Sequence, residues 1–370
     1  MFQIDRRLLA NFDWALLITL LVVVGMSLVN LYSASYVPGA MGTPAYVKQT
    51  YFYLMGFALI LLIVSVDYRV LITINYPLYF VIVGLLLFAL FFGQITAGTQ
   101  RWINLGFFKL QPSEPAKLVL VVSLASYYYR KDTGKGFSVM ELMVPGLLTL
   151  VPFVLILKQP DLGTALMLAS IFISMTLFVK LKWSSLVTLT SLCLGAMTVG
   201  WFFLKPYQRQ RVETFLNPES DPLNTGYHIM QSKIAIGSGG EFGKGFLEGT
   251  QVHLDFLPER HTDFAFSVLG EEWGFVGSVF FLSCYFFLIF LGLNIALSSR
   301  DKFGVLLAFG VVSLIFWQAF INLAMILGLL PVVGMPLPLF SYGGSSLITT
   351  LAGIGILFSI RMRRHMVGTN

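Results

Sequence analysis

A dense group of ionisable residues stands directly before a long apolar run. The string Pro258-Glu-Arg-His-Thr-Asp-Phe264 ends a polar segment, residues 205–263, that holds eight of the 18 acidic residues of the chain. A carboxylate in such a position can act as a general base for a hydroxyl nucleophile. Because the group is denser than one helix cap requires, Asp263 is the first candidate for a catalytic residue.

Three further polar strings stand at the starts of apolar runs. They are Gln111-Pro-Ser-Glu-Pro-Ala-Lys117, Gln159-Pro-Asp-Leu-Gly-Thr164 and Ser341-Tyr-Gly-Gly-Ser-Ser346. Glu114 and Lys117 are three apart on one helix face, where they can form an ion pair. Ionisable groups in a membrane span are costly, which favours a functional interpretation for both. For Asp161, helix capping and function are equally good interpretations.

The elements that must position these residues are membrane helices. The sequence is 56% hydrophobic and 11% charged, with a mean hydropathy of +0.80, whereas soluble domains are about 25% charged. Apolar runs of about 17 to 25 residues predict an all-α, polytopic integral membrane protein with about ten transmembrane helices. They cover residues 14–34, 51–66, 76–93, 113–129, 140–157, 161–180, 184–204, 264–297, 304–328 and 342–360.

The distribution of Lys and Arg predicts the orientation of these spans. Thirteen of them fall in one set of ends and short loops, from Arg6 and Arg7 to Arg361, Arg363 and Arg364, and four fall in the opposite set. The first set, and with it both termini, is therefore expected on the cytoplasmic side. Residues 205–263 then form one large extracytoplasmic loop, and residues 1–370 form a single domain.

Four local features refine this picture. The eighth run is too long to be only a span, so a kink is expected near Gly274 and Gly277. In the loop, residues 226–236 have apolar positions at helical spacing and predict an amphipathic surface helix. Residues 237–245 depart from the Walker pattern and are interpreted as a turn-rich connector. Cys193 and Cys284 both fall in apolar runs and are expected to be free thiols.

With this orientation the four polar strings meet at the outer face. Helix N-termini carry partial positive charge and suit an anion such as a pyrophosphate. Further candidates for phosphate contacts are Lys117, Arg101, Arg209 and Arg211. A hard cation such as Mg²⁺ is possible, while the histidine spacing does not indicate zinc. Candidate ligands for the cation are Glu114, Asp161 and Asp263.

On these residues the chain resembles the SEDS family (shape, elongation, division, sporulation). The matching segments are residues 111–117, 159–164, 207–211, 221–223, 226–228, 231–240, 257–264 and 336–344, in order from the third span to the last helix. Arg260 and residues 245–251 are more similar to the rod-shape branch of the family than to its cell-division branch.

The resemblance implies a peptidoglycan glycosyltransferase that polymerises lipid II, the undecaprenyl-pyrophosphate-linked disaccharide pentapeptide. It would work at the outer face of the cytoplasmic membrane during cell elongation and rod-shape maintenance. A class B penicillin-binding transpeptidase and other elongation-complex proteins are the implied partners, and nucleic acid is not. The resemblance also implies that Asp263 is essential for polymerisation and that Glu114, Lys117 and Asp161 line the same central cavity.

The chemistry of this reaction agrees with the residues. Joining the 4-hydroxyl of an acceptor sugar to the anomeric carbon of a diphosphate-linked donor needs a base and positive charge for the leaving group. A helix N-terminus would lower the pKa of Asp263 and an apolar wall would raise it, which the sequence leaves open.

Two other functions are weighed against this one. A lipid II transporter (flippase) would bind the same lipid, and ten spans suit it, but the polar residues gather at one face. A structural scaffold would leave the charges of the cavity unexplained.

Overall fold

Helices make up most of the computed structural model. It describes residues 11–36, 43–96, 99–104, 106, 108–132, 134–203, 206–217, 221, 225–254 and 256–364. The predicted all-α class is confirmed. The helices are α1 (Trp14–Ala34), α2 (Ala45–Ser65), α3 (Val70–Phe92), α4 (Ser113–Lys131), α5 (Val139–Lys158), α6 (Leu162–Phe178), α7 (Trp183–Phe203), α8 (Pro206–Leu216), α9 (Thr225–Ser238), α10 (Thr250–His253), α11 (Ala265–Ser298), α12 (Lys302–Ile326) and α13 (Gly344–Arg363).

Each of the ten predicted spans coincides with a helix. In the described part of the chain, seven helices are long and apolar enough to cross a membrane, namely α1, α2, α3, α5, α11, α12 and α13. The apolar helix α6 has 17 residues, and α4 carries Glu114, Lys117, Arg130 and Lys131 along its length. The chain is therefore a multi-pass membrane protein.

The centre of the bundle is α12. It packs against α4, α6, α11 and α13. In the most apolar stretch of α12, 72% of the residues are buried inside the protein, and in that of α13 the buried share is 83%. In α2 and α3 the buried share is only 22%. The exposed outer helices are suited to lipid contact, while α12 and α13 present their side chains to other parts of the protein.

A small sheet between α3 and α4 was not predicted from the sequence. Strands β1 (Gln94–Thr96), β2 (Thr99–Asn104) and β3 (Lys109–Leu110) pair antiparallel in the order β1-β2-β3. The strands are so short that two-residue periodicity gives little signal. Their effect is to fold the α3–α4 connection back on itself, so that Arg101 on β2 lies close to the start of α6.

Helix α11 breaks at Gly274, which confirms the predicted kink. This residue has φ 64° and ψ −158°, a backbone conformation that is essentially restricted to glycine. A Cβ atom placed on Gly274 would come 2.3 Å from the backbone nitrogen of Gly243. The break therefore depends on close approach of the glycine-rich connector.

The connector satisfies the backbone groups that the break exposes. Carbonyl groups before the break accept from Lys244 N and Gly245 N, and amide groups after it donate to Gly240 O and Glu241 O, at distances between 2.9 and 3.1 Å. Unpaired backbone groups at membrane depth are costly, and here the protein supplies their partners. The backbone of the turn-rich connector therefore lies directly against the broken helix.

Glu271 anchors the same connector through its side chain. Its Oε1 atom accepts from Lys244 Nζ at 2.7 Å, from Thr250 Oγ1 at 3.0 Å and from Gln251 N at 3.0 Å. The neighbouring Glu272 is also buried and accepts from Ser33 Oγ. Glu271 therefore joins the large loop to the bundle, and Glu272 joins α11 to α1.

The predicted loop helix exists as α9, but it packs on the bundle as well as facing outward. Ser232 Oγ lies 2.8 Å from Ser267 Oγ on α11 and donates to Ile326 O at the end of α12. Ile229 and Ala235 are buried on the same face, while the apolar side chains of Met230 and Ile234 are exposed. The face that carries Ser232 is therefore docked onto protein, and the helix has further apolar side chains away from it.

At the other end of the bundle, ion pairs join helix ends. Arg69 pairs with Asp301 at 3.0 Å, Lys302 with Asp132 at 2.6 Å, and Arg361 with Asp13 at 3.1 Å. All three cations belong to the set predicted to face the cytoplasm. Arg6, Arg7 and the side chain of Cys193 lie outside the described residues, and Cys284 is a free thiol.

Candidate functional site

The starts of α4, α6, α11 and α13 meet, as the sequence predicts. Gln111, just before α4, donates from Nε2 to Asp161 Oδ2 at 3.2 Å and from its backbone to Ser345 Oγ at 3.1 Å. Before α13, Tyr342 N donates to His261 O at 2.8 Å. Four helix N-termini with their partial positive charges therefore converge on one region.

Asp263 lies at this convergence and does not cap its helix. The N-cap of α11 is Phe264, which makes no side-chain cap. The backbone carbonyl of Asp263 accepts from Asn322 Nδ2 at 2.9 Å. Its carboxylate faces the bend at Gly334, where a Cβ atom would lie 3.4 Å from Oδ2. The capping interpretation is therefore wrong for Asp263, and its side chain is free for another role.

The environment of Asp263 favours the neutral carboxyl group. Burial raises its pKa from 3.8 to about 7, and the negative charges of Glu259 and Asp161 act in the same direction. The Arg211 guanidinium opposes them and lowers the pKa. Desolvation thus outweighs any stabilisation of the carboxylate by the helix N-terminus. A carboxyl group with a pKa near 7 is well matched to general-base catalysis at neutral pH.

Glu114 and Lys117 form a buried ion pair one turn into α4. Lys117 Nζ lies 2.9 Å from Glu114 Oε2, and the two side chains are 1% and 6% exposed. The same ammonium group donates to Gln318 Oε1 on α12 at 2.8 Å. Ser113 Oγ makes no hydrogen bond within the described residues. The start of α4 therefore combines a satisfied ion pair with one hydroxyl group that has no protein partner in this part of the chain.

Gln318 fixes the position of this ammonium group. Its Nε2 donates to Pro336 O at 3.1 Å and to Ser346 Oγ at 3.0 Å. Because Pro336 O can only accept and Lys117 can only donate, the orientation of the side-chain amide is determined by its partners. Sequence reasoning missed Gln318.

Asn322, one turn further along α12, holds the other half of the site. It donates to Asp263 O and to Met335 O at 2.6 Å. Both amides therefore hydrogen-bond to the segment that contains Met335 and Pro336. In addition, Gln318 contacts the Lys117 side chain, and Asn322 contacts the backbone of Asp263. Two amide side chains four residues apart in an apolar span were the available signal.

Asp161 caps its helix, and its side chain also contacts two other elements. Its Oδ1 accepts from Thr164 N at 3.1 Å and caps α6. Its Oδ2 accepts from Gln111 and lies 3.6 Å from Arg101 Nη1, while Arg101 also donates to Pro160 O. Asp161 therefore ties α4 and the small sheet to α6, and Arg101 is committed to this carboxylate and the adjacent carbonyl.

The two loop arginines separate. Arg211 acts electrostatically on Asp263. Arg209 donates from Nη2 to Phe202 O at 2.9 Å, which holds it at the junction of α7 and α8. Among the described interactions, Arg211 acts on Asp263, whereas Arg209 contacts the backbone of α7.

The predicted cation ligands do not form a compact cluster. Among the described residues no group of three or more His, Cys, Asp or Glu side chains is close enough together to hold a metal ion. Glu114 is paired with Lys117, and Asp161 with Arg101. The Mg²⁺ site stays a prediction, and a cation there would need phosphate oxygens of a substrate among its ligands.

Comparison with known proteins identifies similar chains. The family model of the FtsW, RodA and SpoVE cell cycle proteins matches residues 13–366. The peptidoglycan glycosyltransferase MrdB of Escherichia coli K12 is 45% identical over 298 residues, 78% of each chain. The peptidoglycan glycosyltransferase RodA of Treponema pallidum is 33% identical over 431 residues, covering 97% of this chain and 99% of that one.

Solved structures show the same architecture. The rod shape determining protein RodA of Thermus thermophilus has a TM-score of 0.71 at 32% identity, over 96% of this chain and 98% of that one. A chain from a peptidoglycan synthase complex that coordinates polymerization and crosslinking has a TM-score of 0.83 at 36% identity, over 96% and 99%.

Removing the Glu114–Lys117 charges together should separate a structural role from a functional one. Glu114→Gln or Lys117→Gln alone strands one buried charge, and we expect each to lower the free energy of unfolding by about 3–5 kcal/mol. The double variant strands neither and should recover most of that stability. If Lys117 contacts an anionic substrate, the double variant should still lose its polymerisation activity.

Thermal unfolding in detergent and polymerisation of labelled lipid II are the two measurements. A double variant that is stable and polymerises at a normal rate would show that the pair serves only packing.

Proposed function

We propose that this chain, which belongs to the FtsW, RodA and SpoVE family of cell cycle proteins, is a peptidoglycan glycosyltransferase that polymerises lipid II at the outer face of the cytoplasmic membrane. The SEDS resemblance is confirmed by the match to 354 of its residues, 13–366. The observation that carries the proposal is the pairing of a base with a pKa near 7, Asp263, with a buried, positioned cation, Lys117.

In this proposal each half of the site has its own role. Asp263 takes the proton of the acceptor 4-hydroxyl as its oxygen forms a bond to the anomeric carbon of the donor. The bond from that carbon to the diphosphate breaks, and undecaprenyl pyrophosphate leaves with its electron pair. Lys117 and the converging helix N-termini stabilise the charge that develops on the leaving oxygen.

A divalent cation would supply a second source of positive charge for the diphosphate. Its ligands on this chain would come from Glu114, Asp161 and Asp263, of which Glu114 is paired with Lys117 and Asp161 with Arg101. Carboxylate and phosphate oxygens together make a donor set that suits Mg²⁺.

The partner and the orientation belong to the same proposal. The synthase complex whose chain this protein resembles couples polymerization to crosslinking, which supports a class B penicillin-binding transpeptidase as partner, beside other elongation-complex proteins. The Lys and Arg residues at the end of the bundle away from Asp263 support cytoplasmic termini and an outer catalytic loop.

Asp263→Asn should abolish polymerisation without loss of folding. The carboxyl group is already disfavoured in its charged form, so a neutral amide of equal size should leave the melting temperature unchanged or slightly higher. Losing a general base lowers a rate by about 10² to 10⁴-fold. The assay is strand formation from labelled lipid II by reconstituted protein, with lipid movement between leaflets measured in parallel.

Polymerisation by Asp263→Asn at the wild-type rate would assign the base elsewhere. Transfer of lipid II to the opposite leaflet by the wild type, without strand formation, would instead support the transporter alternative.

The pH dependence of polymerisation should report Asp263 directly. Because only the carboxylate accepts a proton, kcat/KM should fall as the pH drops below about 7. Glu259→Gln removes a charge that raises this pKa, so the acidic limb should move to lower pH. Glu241→Gln, an exposed change elsewhere in the loop, is the matched control. An acidic limb that is the same in both variants would exclude Asp263 as the titrating group.

The proposed orientation is tested by labelling with an impermeant maleimide. In a chain with Cys193 and Cys284 replaced, single cysteines at Glu241 and Lys131 are both at exposed positions. In intact cells stripped of any outer membrane barrier, only the cysteine at position 241 should react. Reaction at position 131 would reverse the orientation.

A further inference from the structure

A cavity of about 280 Å³ lies at the end of the bundle away from Asp263. Helices α4 and α6 begin at the site and end at this cavity, and α12 begins there. With 19 residues, α4 separates the two regions by about 28 Å, which is close to the thickness of the hydrocarbon core of a bilayer. The cavity therefore lies at the level of the lipid headgroups.

The inner wall of the cavity is apolar. It is formed mainly by aromatic and aliphatic side chains, among them Phe137, Phe178 and Val305. Phe137 is buried, and Phe178 stacks on Phe309 with ring centroids 3.9 Å apart. This wall is fixed by packing and offers a dry surface to a ligand with hydrocarbon.

The rim of the cavity is positively charged. Lys180 and Lys302 line it together with a single carboxylate, Asp132. Asp132 is paired with Lys302 at 2.6 Å, while Lys180 donates to the backbone carbonyl of Gly134 at 3.4 Å. No described carboxylate lies within 4.0 Å of Lys180, so the rim keeps one uncompensated cation. Its charge is complementary to a phosphate.

We propose that this cavity binds the headgroup of an anionic phospholipid, with the phosphate at Lys180 and Lys302 and the glycerol and first acyl carbons against the apolar wall. Basic pockets between membrane helices at the headgroup level are a recurrent means of recognising anionic lipids. A free phosphate would use the rim alone and leave the wall exposed to water. The inference requires that the bundle spans a membrane, and it does not depend on the proposed catalytic activity.

Native mass spectrometry of the full-length protein in detergent tests the proposal. The probes are phosphatidylglycerol, phosphatidylcholine of the same chain length, and inorganic phosphate as competitor. The wild type should retain phosphatidylglycerol in preference to phosphatidylcholine. Lys180→Gln should weaken that retention about fivefold, since each Lys near an anionic headgroup contributes a factor of this size.

Two further variants make the result specific. Lys182→Gln removes the same charge from an exposed position that does not line the cavity, and it should bind as the wild type does. Val305→Glu adds a negative charge to the wall in the first turn of α12, where an acidic residue is tolerated by the helix dipole, and it should abolish the preference.

Equal retention of both lipids would show that only the apolar wall binds. An equal loss with Lys182→Gln would show a general charge effect. Displacement of the lipid by millimolar phosphate would show an anion site without lipid recognition. Each of these results overturns the proposal.

Discussion

The candidate site depends on two side-chain amides of one central helix, α12. Gln318 binds Lys117, Asn322 binds the backbone of Asp263, and both hold the segment around Met335 and Pro336. Water does not compete for buried hydrogen bonds of this kind, so each bond is strong. Because both amides lie on α12, one turn apart, this helix fixes the positions of Lys117 and of the Asp263 backbone relative to each other. The separation of Asp263 and Lys117 is therefore set by α12 and not by the loop from which Asp263 comes.

The large loop, residues 205–263, is held by a different principle. Helix α11 breaks at Gly274, about three turns after Asp263, and the glycine-rich connector pairs with the exposed backbone on both sides of the break. Glu271 adds contacts to Lys244 in the connector and to Thr250 and Gln251 at the start of α10. Because these backbone groups would otherwise be unpaired at membrane depth, the connector cannot leave without a large cost. The connector is thus part of the packed structure of the bundle.

Much of this arrangement could be predicted from the sequence, and the exceptions have physical reasons. Apolar length gave the ten helices, and the glycine pair near Gly274 gave the break. Asp263, Glu114 and Lys117 were found because ionisable residues are rare in such a chain. Gln318 and Asn322 were missed because two amides four residues apart in an apolar span indicate buried hydrogen bonds but do not identify their partners. The pairing of Arg101 with Asp161 depends on a sheet too short to show periodicity.

The separation of the two arginines illustrates the same limit. Arg209 and Arg211 are the same residue type and only two positions apart. Arg209 nevertheless donates to a carbonyl group of α7, whereas the charge of Arg211 acts on Asp263. A spacing of two on a helix places side chains on different faces, so they cannot share a partner on one side.

The two charged groups of the site are controlled in opposite ways. Lys117 has a carboxylate partner and an amide partner, and both hold its ammonium group in a fixed position. Asp263 has its backbone held and its side chain left in a desolvated environment, with Glu259 and Asp161 opposing ionisation and Arg211 favouring it. In the proposed reaction, the cation at the leaving group must stay charged and in place, whereas the base must gain a proton and lose it again. The neighbouring carboxylate of Lys117 suits the first requirement, and the burial of Asp263 suits the second.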